Sequence, residues 1–339
     1  MTAARTTRTA ARAQDEIDRK RRQLSIGLAL AAIAVPNVAV KAGMPATTHL
    51  ITDFDWYDET RSRAVPVRLY WPAAASFAAP VPLVVFSHGM GGTRQGYRYL
   101  ARHWSERGIA SLHVQHVGSD STLWRGNPFG LVSRLQAAAR EAEAIARAAD
   151  MRFALDRLLA APATGHGAAI DQNRIITAGH SYGANTALLT AGAHVVRHGH
   201  TVECFDERVR AAVLISAPAF YGERNLTAVL DAIKVPTLHV TSTGDMIDIP
   251  GFRSGFDDRL AIFDAVVNPD KVLAVFEGGS HSMFTDRPIT GGVALNPRVK
   301  AATADLTSAW FASVFQHDAA ALAQWERRWQ PILGRPLIA

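Results

Sequence analysis

The stretch ITAGHSYGANTALL, residues 176–189, sets a turn of small residues between an apolar run and a segment of helical composition. Ser181 stands at its centre, with Gly179 two places before it and Gly183 two places after, in the pattern G-x-S-x-G. Between a strand and a helix, this pattern describes a sharp turn that holds its serine in a strained backbone conformation with the hydroxyl pointing outward. The glycines meet a steric demand, because the neighbouring chain passes so close that a side chain at 179 or 183 would collide with it. Free N–H groups at the start of the following helix favour negative charge beside the serine. Ser181 is therefore the candidate nucleophile.

Outward from this turn the chain repeats one grammar. Short apolar runs rich in β-branched residues occur at 65–71, 82–87, 109–114, 174–179, 211–216, 236–241 and 271–276. Ala-, Leu- and Arg-rich stretches of helical length separate most of them, the longest from Leu131 to Leu159. Continuous apolar strands alternating with helices predict an α/β fold, a mostly parallel central sheet with helices on both faces. The segment VGSDSTLWRGNPFG, residues 117–130, is the main irregular insertion, and it follows the carboxyl end of a strand, where open α/β sheets bind ligands.

A serine hydroxyl is a weak nucleophile near neutral pH, so Ser181 needs a base and a group to orient that base. His281 follows the last predicted strand in the Gly-rich loop of FEGGSHSMF. Asp245 directly follows the strand PTLHVT, and Asp248 lies three residues further on; position nearer the strand end favours Asp245. The order Ser181, Asp245, His281 is that of an α/β-hydrolase triad. The loop Ser87-His88-Gly89-Met90-Gly91-Gly92 ends an early strand and offers the backbone N–H of Met90, with that of Tyr182, as an oxyanion pair. A phosphate loop is the rival reading of those glycines, but neither a G-K-[ST] ending nor a G-x-G-x-x-G register is present.

Other polar groups carry less. His116, Asp120, Trp124 and Arg125 are candidates to line a substrate pocket, in or beside the 117–130 insertion; a self-capped surface loop is the competing reading. His194, His198 and His200 have spacing compatible with a metal but no interleaved carboxylate or cysteine, and they are expected near the C-terminus of the helix after the Ser181 turn. No metal or cofactor is called for. Cys204 is the only cysteine, so no intrachain disulfide forms, and it is expected as a small buried hydrophobe. Trp325 and Trp329 are expected to pack a terminal helix.

The formal charge of +6 over 339 residues is concentrated at the N-terminus. Residues 1–42 hold eight Lys/Arg against three acids, leaving 28 bases and 27 acids for the remainder. A nearly neutral body gives no footing for nucleic-acid binding. The segment RKRRQLSIGLALAAIAVPNVAVKAG has the order of an export signal: bases, then an apolar run, then small residues at Val40-Lys41-Ala42. Arg21-Arg22-Gln23-Leu24 resembles a twin-arginine signal, although no Ser or Thr precedes the pair. Residues 1–42 are thus expected to direct the protein to the periplasm or outside the cell, with an uncleaved inner-membrane anchor as the alternative, and residues 46–339 to form a single domain.

Taken together, FSHGMGG, AGHSYGA, the late acid and the late histidine resemble the serine-esterase branch of the α/β-hydrolase family. They are most similar to platelet-activating-factor acetylhydrolase and dienelactone-hydrolase-like proteins. The resemblance implies hydrolysis of small or short-acyl carboxylic esters through an acyl-enzyme, with a small-molecule ester as the partner; a catalytically silent scaffold acting as a binding protein, and a peptidase or acyltransferase using the same triad, are the alternative readings. Two departures stand out. Dienelactone hydrolases carry cysteine where this chain has Ser181, and the acetylhydrolase pattern places its acid after the preceding strand, where LISAPAF offers Ser216 and no acid.

Overall fold

The structure is a computed structural model and describes residues 49–73, 80–160, 166–197, 200–220, 222–223, 225–249 and 251–339. The proposed export signal, residues 1–42, lies outside the described residues.

The central sheet has eight strands: β1 (His49–Asp58), β2 (Arg63–Pro72), β3 (Val81–Ser87), β4 (Ala110–Val114), β5 (Ile170–His180), β8 (Val209–Ile215), β9 (Thr237–Ser242) and β12 (Lys271–Phe276). Their spatial order is β1-β2-β4-β3-β5-β8-β9-β12. The pairs β1–β2 and β2–β4 are antiparallel, and every pair from β4 to β12 is parallel. Two small hairpins stand apart from it, β6 (His194–Arg197) with β7 (His200–Glu203) and β10 (Ile247–Ile249) with β11 (Phe252–Ser254).

Burial on both faces explains why the parallel strands read as continuous apolar runs. In β8, Ala211, Val213 and Ile215 enter one core and Ala212 and Leu214 the other, as the two-residue period of a strand dictates. The first core is closed by α1 (Arg98–Ser105), α7 (Leu295–Gln316) and α8 (Ala321–Trp329). There Trp104 donates its Nε1–H to Thr307 Oγ1 at 2.8 Å, and Trp325 donates to the Ala302 carbonyl at 2.8 Å, so both buried indoles keep a polar partner. On the opposite face lie α3 (Glu141–Ala160), α4 (Tyr182–Thr190), α5 (Leu226–Leu230) and α6 (Phe256–Ala265). Burying each large apolar side chain in these layers stabilises by about 1.5–3 kcal/mol. At the β12 edge the C-terminal tail supplies the missing partners: Leu273 and Ile338 exchange both backbone hydrogen bonds.

Three expectations need correction. The edge strand β1 was not expected, because HLITDFDWYD alternates instead of running apolar: Phe54 and Trp56 pack inward while Asp53 and Asp55 face solvent. The stretch 131–159 is two helices, α2 (Leu131–Ala138) and α3, interrupted at Ala139 and Arg140. The helix after Ser181 stops at Thr190, so His194 and His200 sit on the β6–β7 hairpin, opposite Glu203 and Arg197, rather than at a helix end. His198 lies outside the described residues.

Parallel pairing brings five strand ends to one edge of the sheet. Ser87 pairs with Gly179, His180 with Ile215, and Ser242 with Phe276, so the loops leaving β3, β5, β8, β9 and β12 emerge together. This is the crevice in which the candidate residues meet.

Candidate functional site

β5 runs into Ser181 and α4 begins at the next residue. Ser181 has φ 57° and ψ −129°, a conformation that costs on the order of 1–3 kcal/mol for a non-glycine residue. Its surroundings hold it there. The Ser181 amide donates to the Ile215 carbonyl at 2.9 Å, and the Ala184 amide donates to the Ser181 carbonyl at 2.8 Å. A Cβ on Gly179 would strike the Gly183 carbonyl, and one on Gly183 would strike the Ser87 carbonyl. The close approach expected for both glycines is thus present, and the strand carrying the second loop is the obstacle at 183.

His281 opens a short 3-10 turn, residues 281–284, after Gly278 and Gly279, which adopt φ 67° and 83°. Its Nε2 lies 2.8 Å from Ser181 Oγ and its Nδ1 lies 2.7 Å from Asp245 Oδ1. A carboxylate only accepts, so Nδ1 carries the proton and Nε2 is left to accept from the serine hydroxyl. Asp245 has no exposed side-chain surface and collects donors on both oxygens. Arg259 Nη2 donates to Oδ1 at 3.2 Å, Thr241 Oγ1 donates to Oδ2 at 2.8 Å, and Ser216 Oγ donates to Oδ2 over a very short contact. Burial alone would raise this carboxyl; the hydrogen bond and charge of His281, with the charge of Arg259 and the Ser216 hydroxyl, outweigh it and hold it below the usual carboxylate range. Asp248 is exposed on β10, so Asp245 is the carboxylate that meets the imidazole.

Ser216 directly follows β8, at φ 53°, where the resemblance leads one to look for an acid. In this chain it acts on the acid instead, as a hydroxyl donor. Neither Arg259 nor Thr241 is marked by any sequence pattern: Arg259 lies in FDDRLAIFDA, where a charged residue reads as part of a solvated face. Yet it is nearly fully buried.

The amide of Tyr182 follows Ser181 directly and that of Met90 follows Gly89, and among the described residues neither donates a hydrogen bond. The peptide units on either side of Gly89 are held at other atoms. The Gly89 carbonyl accepts from His88 Nδ1–H at 2.7 Å and from the Gly92 amide at 3.0 Å, which leaves the N–H of the same peptide, that of Met90, unused. The Gly89 amide donates to the Tyr97 hydroxyl at 3.3 Å, and that hydroxyl donates to His180 Nδ1 at 2.8 Å. His180 Nε2–H then donates to the His281 carbonyl at 3.1 Å. Burial pulls His180 down to about 3, so it stays neutral and keeps this tautomer. A Cβ on Gly89 would lie 3.3 Å from Ser181 Cβ and from the His180 carbonyl, so glycine keeps the loop close to the nucleophile.

The pocket candidates separate. Trp124 stacks on Gly91 and donates its Nε1–H to the Gly91 carbonyl at 2.9 Å, with about half of its surface (53%) exposed. The 117–130 segment is also tied to this loop by the Gly91 amide, which donates to the Ser119 carbonyl at 2.8 Å. Arg125 is exposed and makes no side-chain hydrogen bond or ion pair among the described residues. His116 is fully buried: its Nδ1–H donates to Asp150 at 3.0 Å and its Nε2 accepts from Ser87 Oγ at 2.9 Å. It lies beneath the crevice and lines no open pocket. Asp120 caps its own turn through Thr122, the self-capped arrangement.

Among the described residues, no group of three or more His, Cys, Asp or Glu is arranged to hold a metal ion, and no helix is long and apolar enough to cross a membrane. Comparison with protein-family models and with curated proteins finds no match for this chain.

Proposed function

We propose that this chain is a serine hydrolase of carboxylic esters built on the α/β-hydrolase fold. The observation that carries the reading is the line from Asp245 through His281 to a serine held at positive φ between a strand and a helix. The loop between β3 and the first helix, where Gly89 packs close to Ser181, supports it, as do the unused amides of Met90 on that loop and of Tyr182 at the start of α4. Ser181 Oγ attacks the ester carbonyl and its proton passes to His281 Nε2; the Met90 and Tyr182 amides receive the oxyanion. Collapse of the tetrahedral species breaks the ester C–O bond, and His281 returns the proton to the departing alcohol. Water, deprotonated by His281, then attacks the acyl-serine and frees both acid and enzyme. These steps draw on protein groups and water alone. Small or short-acyl esters are the proposed substrates, on the strength of the resemblance.

A fluorophosphonate probe tests the reading against a catalytically silent scaffold. Mass spectrometry of peptides from the labelled protein should place the adduct on Ser181, and an unlabelled protein would contradict the proposal. Export is proposed for residues 1–42. The periplasmic protein should begin near Gly43, whereas an intact Met1 in the membrane fraction would favour the anchor.

A further inference from the structure

Arg147, on α3, is fully buried and unused by the mechanism above. Its guanidinium reaches three separate segments. Nη2 donates to Ser87 Oγ at 3.0 Å and, over a very short contact, to the His88 carbonyl in the loop after β3. Nη1 donates to Ser119 Oγ at 2.7 Å in the insertion after β4. Nε donates to Thr186 Oγ1 at 3.0 Å on the helix that begins at the nucleophile, and the guanidinium carbon stands 4.5 Å from the centre of the Tyr182 ring.

None of these acceptors is charged. The nearby carboxylates are taken by other cations: Asp150 by Arg61 and Arg63, and Glu143 by Arg63. Arg147 reaches each through intermediates, Glu143 by way of Ser119 Oγ and Asp150 by way of Ser87 and His116. Burial draws the guanidinium down to about 10, so it remains a cation at neutral pH. A buried charge without a touching counter-ion is unfavourable for stability, and a core requirement alone would be better met by an apolar side chain.

We infer that Arg147 is a positioning residue for the oxyanion hole, a single buried cation that fixes the Met90 loop against the Tyr182 turn. It holds the His88 carbonyl on one side, and the Tyr182 ring and Thr186 on the other, so the two donor amides keep one separation. Its Ser119 contact adds the strand of loop that binds the Gly91 amide. The inference rests on the ester-hydrolase reading, and the test separates the two.

The purified chain is first labelled with the fluorophosphonate. No labelling of the wild type defeats the parent reading, whereas the following results bear on Arg147 alone. Arg147→Met should lower kcat for p-nitrophenyl acetate by about 10²-fold, the scale of losing one oxyanion donor. KM should stay within about threefold, as expected for an interaction made in the transition state. The midpoint of the acid limb of the pH profile should not move, because the triad is untouched. Affinity for a methyl trifluoromethyl ketone, whose serine adduct places an oxyanion in the hole, should fall by the same factor as kcat. Arg147→Lys keeps charge and bulk but not the fork, and should lose roughly tenfold in both kcat and ketone affinity. Unchanged kcat in either folded variant would overturn the proposal, as would lost kcat with ketone affinity retained. Failure of Arg147→Lys to fold would assign the residue to the core and overturn it equally.

Discussion

Asp245 and Asp248 lie three residues apart, and their environments differ in every respect that matters for orienting a base. Asp245 is buried with donors on both oxygens, and Asp248 faces solvent. Replacing Asp245 by Asn puts an amide opposite His281 Nδ1 and favours the wrong tautomer, which should cost about 10⁴-fold in kcat. Asp248→Asn should leave kcat within about twofold, as a surface substitution does. Steady-state kinetics on the two variants checks this, and comparable losses in both would contradict the assignment. The candidates that sequence could supply were those at strand ends with a motif or an order around them: Ser181, His281 and Asp245. Arg147 and His180 were out of reach as supporting residues, because each acts through contacts between separate segments of the chain, and Arg259 was out of reach because its helix, FDDRLAIFDA, reads as carrying its charges on a solvated face. His116 was misread for a related reason: sequence places it at the mouth of a loop, but its Asp150 partner draws it beneath the sheet edge.

At the scale of elements, the turn at Ser181 depends on how closely β3 and α4 approach. A methyl at Gly183 would meet the Ser87 carbonyl, and neither partner is the end of a flexible side chain. Gly183→Ala should therefore shift the backbone that leads to Met90, at a cost of about 1–3 kcal/mol in stability. It should lower kcat as well. Gly96→Ala is the control, since an added Cβ there finds an ordinary contact of 3.4 Å to the Thr93 carbonyl. Thermal melts and kinetics should separate the pair, and a Gly183→Ala protein matching wild type in both would contradict this account of the turn. The parallel strands were legible because burial on both faces leaves continuous apolar runs. β1 was not, because an edge strand buries one face and its acids break the run.

The whole molecule keeps many histidines in its interior. His88, His113, His116, His180 and His239 are buried, and burial is the largest cause lowering each, to about 3 for His113, His180 and His239. In the unfolded chain they take up protons below their ordinary value of 6.5, and in the folded chain they do not until the lower values are reached. The unfolded state thus binds more protons between 6.5 and about 3, and stability falls as pH drops through that window. Each such histidine contributes up to about 1.4 kcal/mol per pH unit there. Melting temperature should decline steeply below pH 6.5, and a flat Tm from neutral to about pH 5 would contradict the buried neutral state. The same melts at neutral pH serve as the control for the central claim, which is that Ser181 is the nucleophile. The most direct measurement is hydrolysis of p-nitrophenyl acetate by Ser181→Ala beside wild type. The account predicts an unchanged Tm with turnover reduced by at least about 10³-fold. Retention of more than about 1% of wild-type turnover by the folded variant would contradict it.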